Sequence, residues 1–247
     1  MRSCKKTGWQ AKAPAPLVVL AVAALALAPA AVGQTGFPFQ DESLHYSVNW
    51  PSGLSLGEAT FTAHHQGSAW DLAMTLDAGI PGFAVADKIR SSVTDDLSGC
   101  SLELERDISH GAKKTREKTT FDQKKGEATR TTLFPLGGGT STFTFSACPR
   151  DAMAFLYFAR RELGQGRVPP AQTVFFGSGY SVRMDYTGAQ TITLNEKPAI
   201  TDHLVVSEKG PKSSFSFEMF FARDAARTPL LIKVPLSVGS FSMELVR

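Results

Sequence analysis

Ser43-Leu44-His45-Tyr46-Ser47-Val48-Asn49-Trp50 alternates polar and apolar side chains without a break. Successive side chains of an extended chain leave on opposite faces, so this octet is a strand with one wet and one buried face. The same pattern recurs at Trp70, Leu72, Met74 and Leu76, and at Tyr180, Val182, Met184 and Tyr186. It returns at Phe215, Phe217 and Met219, at Leu230, Ile232 and Val234, and at Phe241, Met243 and Leu245. Alternation belongs to antiparallel sheets, because strands buried on both faces read as continuous apolar runs. Turn signals such as Pro51-Ser52-Gly53, Gln66-Gly67-Ser68, Thr187-Gly188 and Lys209-Gly210-Pro211 separate the segments at short intervals. Roughly twelve to fourteen strand candidates result from this periodicity. An open sheet that wide must curl, so the expected fold is mainly β: one strongly curved antiparallel sheet, half-barrel or sandwich-like.

One segment departs from period two. Asp151 to Leu163 carries Ala152, Phe155, Ala159 and Leu163 at helical spacing, with Tyr157 and Phe158 widening the apolar face. Asp151 can cap the free amides at its start. Arg160 and Arg161 suit the negative end, and Gly164 can take a left-handed exit. The helix at 151–163 is expected to plug or back the curved sheet. Leu136 to Thr140 and Gly164 to Pro170 read as loops inside one domain.

Upstream, Arg2, Lys5, Lys6 and Lys12 precede an apolar stretch from Pro16 to Val32 that closes on Ala28, Ala30, Ala31 and Gly33. Charged start, apolar centre and small-residue exit make a secretory signal over 1–33, leaving 34–247 as a single β-rich domain. Retention as an anchor is the alternative, disfavoured by Pro14, Pro16 and Pro29. The expected location is the periplasm or cell envelope. The chain has 26 basic and 23 acidic residues. The four basic residues named above leave with the leader, so the basic pI describes the precursor and implies no nucleic-acid partner. Of three cysteines, Cys4 leaves as well, and Cys100 with Cys148 form an even count in an oxidising compartment. A disulfide is the favoured reading, with two buried thiols as the alternative.

The run Phe220-Phe221-Ala222-Arg223-Asp224-Ala225-Ala226-Arg227-Thr228-Pro229-Leu230, followed by Pro235-Leu236-Ser237-Val238-Gly239-Ser240, resembles the signature of the domain-of-unknown-function family 3108. Leu44 to Val48 with Gly57-Glu58-Ala59, and the segment from Asp151 through Tyr157 to Arg160, resemble it too. Phe220 stands where the family often carries Trp. The resemblance implies an exported bacterial protein, mainly β, without an established activity or catalytic residues to carry over. Read from the residues alone, Asp224 and Arg227 flank a turn in which Asp224 bonds the backbone ahead and Arg227 answers its charge. Pro229 and Gly239 set backbone geometry at strand ends.

No constellation of catalytic type emerges. His64 and His65 are adjacent and point to opposite faces of a strand, and the cysteines lack zinc spacing, so no metal or cofactor is expected. Gly177-Ser178-Gly179 lacks the frame of a nucleophile elbow and reads as a hairpin. Glu103 and Glu105 share a face that reads as wet. The charged stretch Arg106 to Arg130 reads as a solvated hairpin with edge-protecting lysines; the sharper alternative is a basic patch for anionic lipid headgroups or acidic polysaccharide. Tyr46, Trp70, Phe155 and Phe217 could line a concave site for a lipid or another apolar ligand, against the alternative of a filled core. The expected function is therefore a non-enzymatic binding or carrier-like protein of the envelope. The rivals are a scaffold that binds another envelope protein through a sheet edge or basic hairpin, and an unrecognised enzyme. An integral membrane barrel is not expected.

Overall fold

The computed structural model describes residues 40–246 apart from Pro81, Lys212, Ser237 and Val238. The expected leader and its cleavage point fall on residues 1–39, outside the described residues.

Eight strands run up and down before the helix: β1 (Glu42–Asn49), β2 (Ser55–Gln66), β3 (Ala69–Ile80), β4 (Phe83–Thr94), β5 (Ser101–His110), β6 (Lys113–Asp122), β7 (Glu127–Phe134) and β8 (Thr140–Thr144). A two-residue β9 (Arg150–Asp151) leads into α1 (Ala152–Gly164). Six more strands follow: β10 (Gln172–Phe175), β11 (Gly179–Leu194), β12 (Lys197–Lys209), β13 (Ser214–Ala222), β14 (Pro229–Leu236) and β15 (Gly239–Leu245). All lie in one open sheet of 15 strands, ordered β8-β7-β6-β5-β4-β3-β2-β1-β15-β14-β13-β12-β11-β10-β9. The chain thus builds two meanders that join where its first and last strands pair, Tyr46 opposite Leu245 and Val48 opposite Met243. Every pairing is antiparallel except β9 with β10.

The sheet curls until its distant limbs touch. The Ser101 amide of β5 donates to the Pro149 carbonyl, just before β9, at 2.8 Å, although β9 ends the strand order and β5 stands near its other end. Phe121 of β6 meets Phe175 of β10 edge-on, with centroids 5.6 Å apart. Cys100 and Cys148 form the expected disulfide, Cα atoms 5.1 Å apart, and clip the β4–β5 turn to the segment entering β9. No strand ladder closes this seam. The inward rows carry the core. Tyr46 and Val48, Phe61 and Ala63, Trp70 and Leu72, Leu204 and Val206 are all buried.

The helix fills much of the concave side, burying Met153, Phe155, Tyr157, Phe158 and Leu163. Each large apolar side chain so buried stabilises by about 1.5–3 kcal/mol. Asp151 is its N-cap, accepting from the Met153 and Ala154 amides at 2.8 and 3.1 Å. The other carboxylate oxygen accepts from Ser91 of β4 and Ser101 of β5, each at 2.6 Å, so one buried residue starts the helix and pins it to the sheet. Burial pushes the Asp151 carboxyl up, and these hydrogen bonds oppose it.

Three expectations need correction. Gly164 is the last helical residue rather than the left-handed exit; Gly166, at φ +74°, takes that conformation. A Cβ on Gly164 would sit 3.4 Å from the Ala225 carbonyl, in ordinary contact with the β13–β14 turn. Arg160 does not answer the helix dipole at the surface. It is fully buried, pairs with Glu42 of β1 (3.0 Å for Nη2) and donates through Nε to the Ala226 carbonyl at 3.1 Å. Arg227 does not answer Asp224: with φ at +48° it reaches Asp202 of β12 at 2.5 Å. Asp224 does bond the chain ahead, accepting from the Thr228 amide and hydroxyl at 3.2 and 3.0 Å. Pro229 and Gly239 open β14 and β15.

Candidate ligand-binding site

Between α1 and the concave face lies a cavity of about 290 Å³. Eight strands and the helix contribute to its wall, which is almost wholly apolar: Phe61, Ile89, Phe155, Val206, Phe217 and Ile232 are representative. Met74, Met153, Met184 and Met219 also line it, four of the chain's six methionines. Unbranched, polarizable side chains of this kind adapt to irregular apolar guests. The volume is about twice that of an engineered apolar cavity that stays dry and takes benzene, and it sits at the lower end of ligand pockets. The space is partly open to solvent, so the helix leaves a stretch of the concave face uncovered.

Of the four aromatic residues expected to line such a site, Phe155 and Phe217 do so. Tyr46 and Trp70 are used elsewhere. The Tyr46 hydroxyl donates to the Pro229 carbonyl at 2.8 Å and its ring packs edge-on to Phe61; burial pushes its phenol up, out of reach of ordinary pH. Trp70 donates through Nε1 to Asp95 at 3.1 Å and lies beside His65.

Two carboxylates break the apolar wall, Asp87 of β4 and Glu208 of β12. His110 Nε2 stands 3.0 and 3.1 Å from the two Asp87 oxygens. Burial pushes the Glu208 carboxyl up. Beyond Phe176, which borders both spaces, opens a polar pocket of about 410 Å³ walled by β5, β6, β7 and the β10–β11 turn. Here Arg106 Nη1 donates to Glu117 at 3.0 Å and its guanidinium carbon lies 3.9 Å over the Phe176 ring. Arg130 Nη1 comes within 3.9 Å of the same carboxylate and donates to the Gly177 carbonyl. Gly177 has φ +78°, and a Cβ there would overlap the Arg106 guanidinium, so glycine alone lets the turn lie on the arginines. Desolvation lowers the Arg106 pKa against the opposing pull of Glu117.

The charged stretch is therefore not a simple solvated hairpin. Lys118 binds Glu103 and Glu105 on the convex face, at 2.6 and 3.2 Å, whereas Arg106, Glu117 and Arg130 turn inward. Strand parity carried this signal: Arg106 shares the face of Leu104 and Ile108, Glu117 that of Thr119 and Phe121, Glu208 that of Leu204 and Val206.

Two other features are set aside on physical grounds. An open groove of about 660 Å³ follows residues 144–150 and the start of β10, with a mixed lining in which Phe145 and Phe175 stand beside Arg150, Gln172 and several short side chains. On the convex face His203 contacts Thr187 Oγ1 at 2.6 Å and Glu218 at 2.8 Å. The Thr187 hydroxyl donates to the His203 carbonyl at 3.1 Å, and Thr187 is the extra residue where the β11–β12 register shifts, so the group holds a bulge. Among the described residues no helix is long and apolar enough to cross a membrane, and no cluster of His, Cys, Asp and Glu has the makings of a metal site.

The family model described as "Protein of unknown function (DUF3108)" matches residues 45–246. No curated protein matches the sequence. The chain belongs to the DUF3108 family.

Proposed function

We propose that this DUF3108 protein is an exported, non-enzymatic carrier that shelters the apolar chain of an envelope-derived ligand between α1 and the concave sheet. The single observation behind this reading is the apolar cavity of about 290 Å³, whose wall is assembled from strands far apart in sequence. Native interiors are close-packed, and an apolar wall left partly open to water forfeits burial that a guest would supply. A cavity kept open against that cost is accounted for by a guest that restores the contacts. The basic, apolar and small-residue order of residues 1–33 supports export, and the disulfide suits an oxidising compartment.

Native mass spectrometry of protein gently purified from its host tests the reading. A bound small apolar molecule, released by organic extraction and lost in Ala159→Phe, is the expected result. A clean unliganded mass, with no uptake of decanol by the extracted protein, would remove it.

A scaffold role has one observation in its favour. The open sheet leaves β8 at an edge, beside the groove of about 660 Å³. In-cell crosslinking from an edge position such as Thr142 would give a discrete partner band on that reading and none on the carrier reading.

A further inference from the structure

We infer that the ligand carries a carboxylate head, and that Arg106 and Arg130 hold it in the polar pocket next to the cavity while its single short chain occupies the apolar space. The inference deepens the carrier reading and rests on it. Phe176 lines both spaces, so the two are neighbours and a head in one lies next to a chain in the other. Three cations line the polar pocket, Arg106, Arg130 and Lys113, against one carboxylate, Glu117. Glu117 serves both arginines, at 3.0 and 3.9 Å. Lys113 pairs with no carboxylate among the described residues. The Nε atoms of Arg106 and Arg130 are buried without a hydrogen-bond partner among the described residues. Buried donors left unpaired are costly, and a guanidinium presents a planar fork that fits a carboxylate. The protein already shows which anion this pair accepts, because Glu117 occupies the place of a carboxylate head. The resident carboxylate also holds the Phe176–Ser178 turn down through Arg106 and Arg130, so a competing head and that turn share one pair of cations.

Calorimetric titration of the extracted, disulfide-bonded protein with decanoate and with decanol separates the two readings. Decanoate is expected to bind about tenfold more tightly, with a salt-dependent advantage that Arg106→Gln erases. Loss of that arginine could instead reflect a loosened turn, so Glu117→Gln supplies the opposite sign. Removing the resident carboxylate should tighten decanoate about tenfold and leave decanol unchanged. A purely structural triad predicts a lower melting temperature for Glu117→Gln with no gain in affinity, and that result overturns the carboxylate site. Equal binding of the two ligands in wild type and both variants also overturns it, and leaves the carrier reading standing. Failure of both ligands to bind sinks the carrier reading itself.

Discussion

Glu208 shows how much one side chain on the wrong parity can report. It shares the inward face of β12 with Leu204 and Val206, borders the apolar cavity and has its carboxyl pushed up by burial. A carboxyl whose folded pKa exceeds its unfolded value favours the fold while protonated, and that contribution is lost as pH rises through the folded pKa. Glu208→Gln should therefore melt above wild type at pH 7, and the gap should shrink as pH falls toward the ordinary glutamate range. A pH series of thermal melts checks this; a gap that widens in acid would contradict it. Asp151 works in the other direction, as a fixed point. Asp151→Ala leaves two helix amides and two serine hydroxyls without their acceptor and should cost roughly 3 kcal/mol in urea denaturation. These residues were partly legible. The cap at Asp151 follows from sequence, because an acidic residue before an apolar helical stripe has few other uses. Its bonds to Ser91 and Ser101 do not, since nothing local tells which of many serines will face it. The inward turn of Arg106, Glu117 and Arg130 could have been found from alternation alone. It was hidden because eight basic residues between Arg106 and Arg130 read as one solvated surface when their parity is ignored.

At the scale of elements, the strands announce themselves and their partners do not. Period two marks each segment, and tight turns set neighbouring strands side by side, so most of the sheet order is local. The pairing of β1 with β15 is not local, and it alone joins the two meanders. The same reason explains Arg227: its turn was visible, but Asp202 lies on the neighbouring strand β12 and could not be chosen from sequence. The left-handed exit stands two residues later than expected, at Gly166 rather than Gly164, because either glycine offers one and the local sequence does not choose between them. The seam between limbs is held by the disulfide, the Phe175 cluster and the Gly177 turn rather than by a ladder. Cys100 and Cys148 stand 48 residues apart, so the double serine variant should lose up to about 4 kcal/mol in the chain-entropy account. Equilibrium denaturation of that variant gives the number; an unchanged midpoint would mean that the unfolded chain is already held compact without the bridge.

For the molecule as a whole, a sheet too wide to stay flat curls around a helix too small to fill it, and the remainder is the cavity. The curl was readable from strand number. The residual space was not, because it is a difference between the volume a curved sheet encloses and the volume its side chains occupy, and sequence gives only the second. Filling the space should abolish uptake and leave the fold intact: Ala159→Phe is expected to exclude an apolar chain at little or no cost in melting temperature, whereas a large loss would mean that the wall is already tight.

The methionines provide the most direct test of the central claim. Methyl carbon-13 labelling of methionine, followed by titration with decanol, should shift the resonances of Met74, Met153, Met184 and Met219, which line the cavity, and leave Met243 of β15 in place. Resonances that do not move, or that move together with Met243, would contradict an apolar chain held between α1 and the concave sheet.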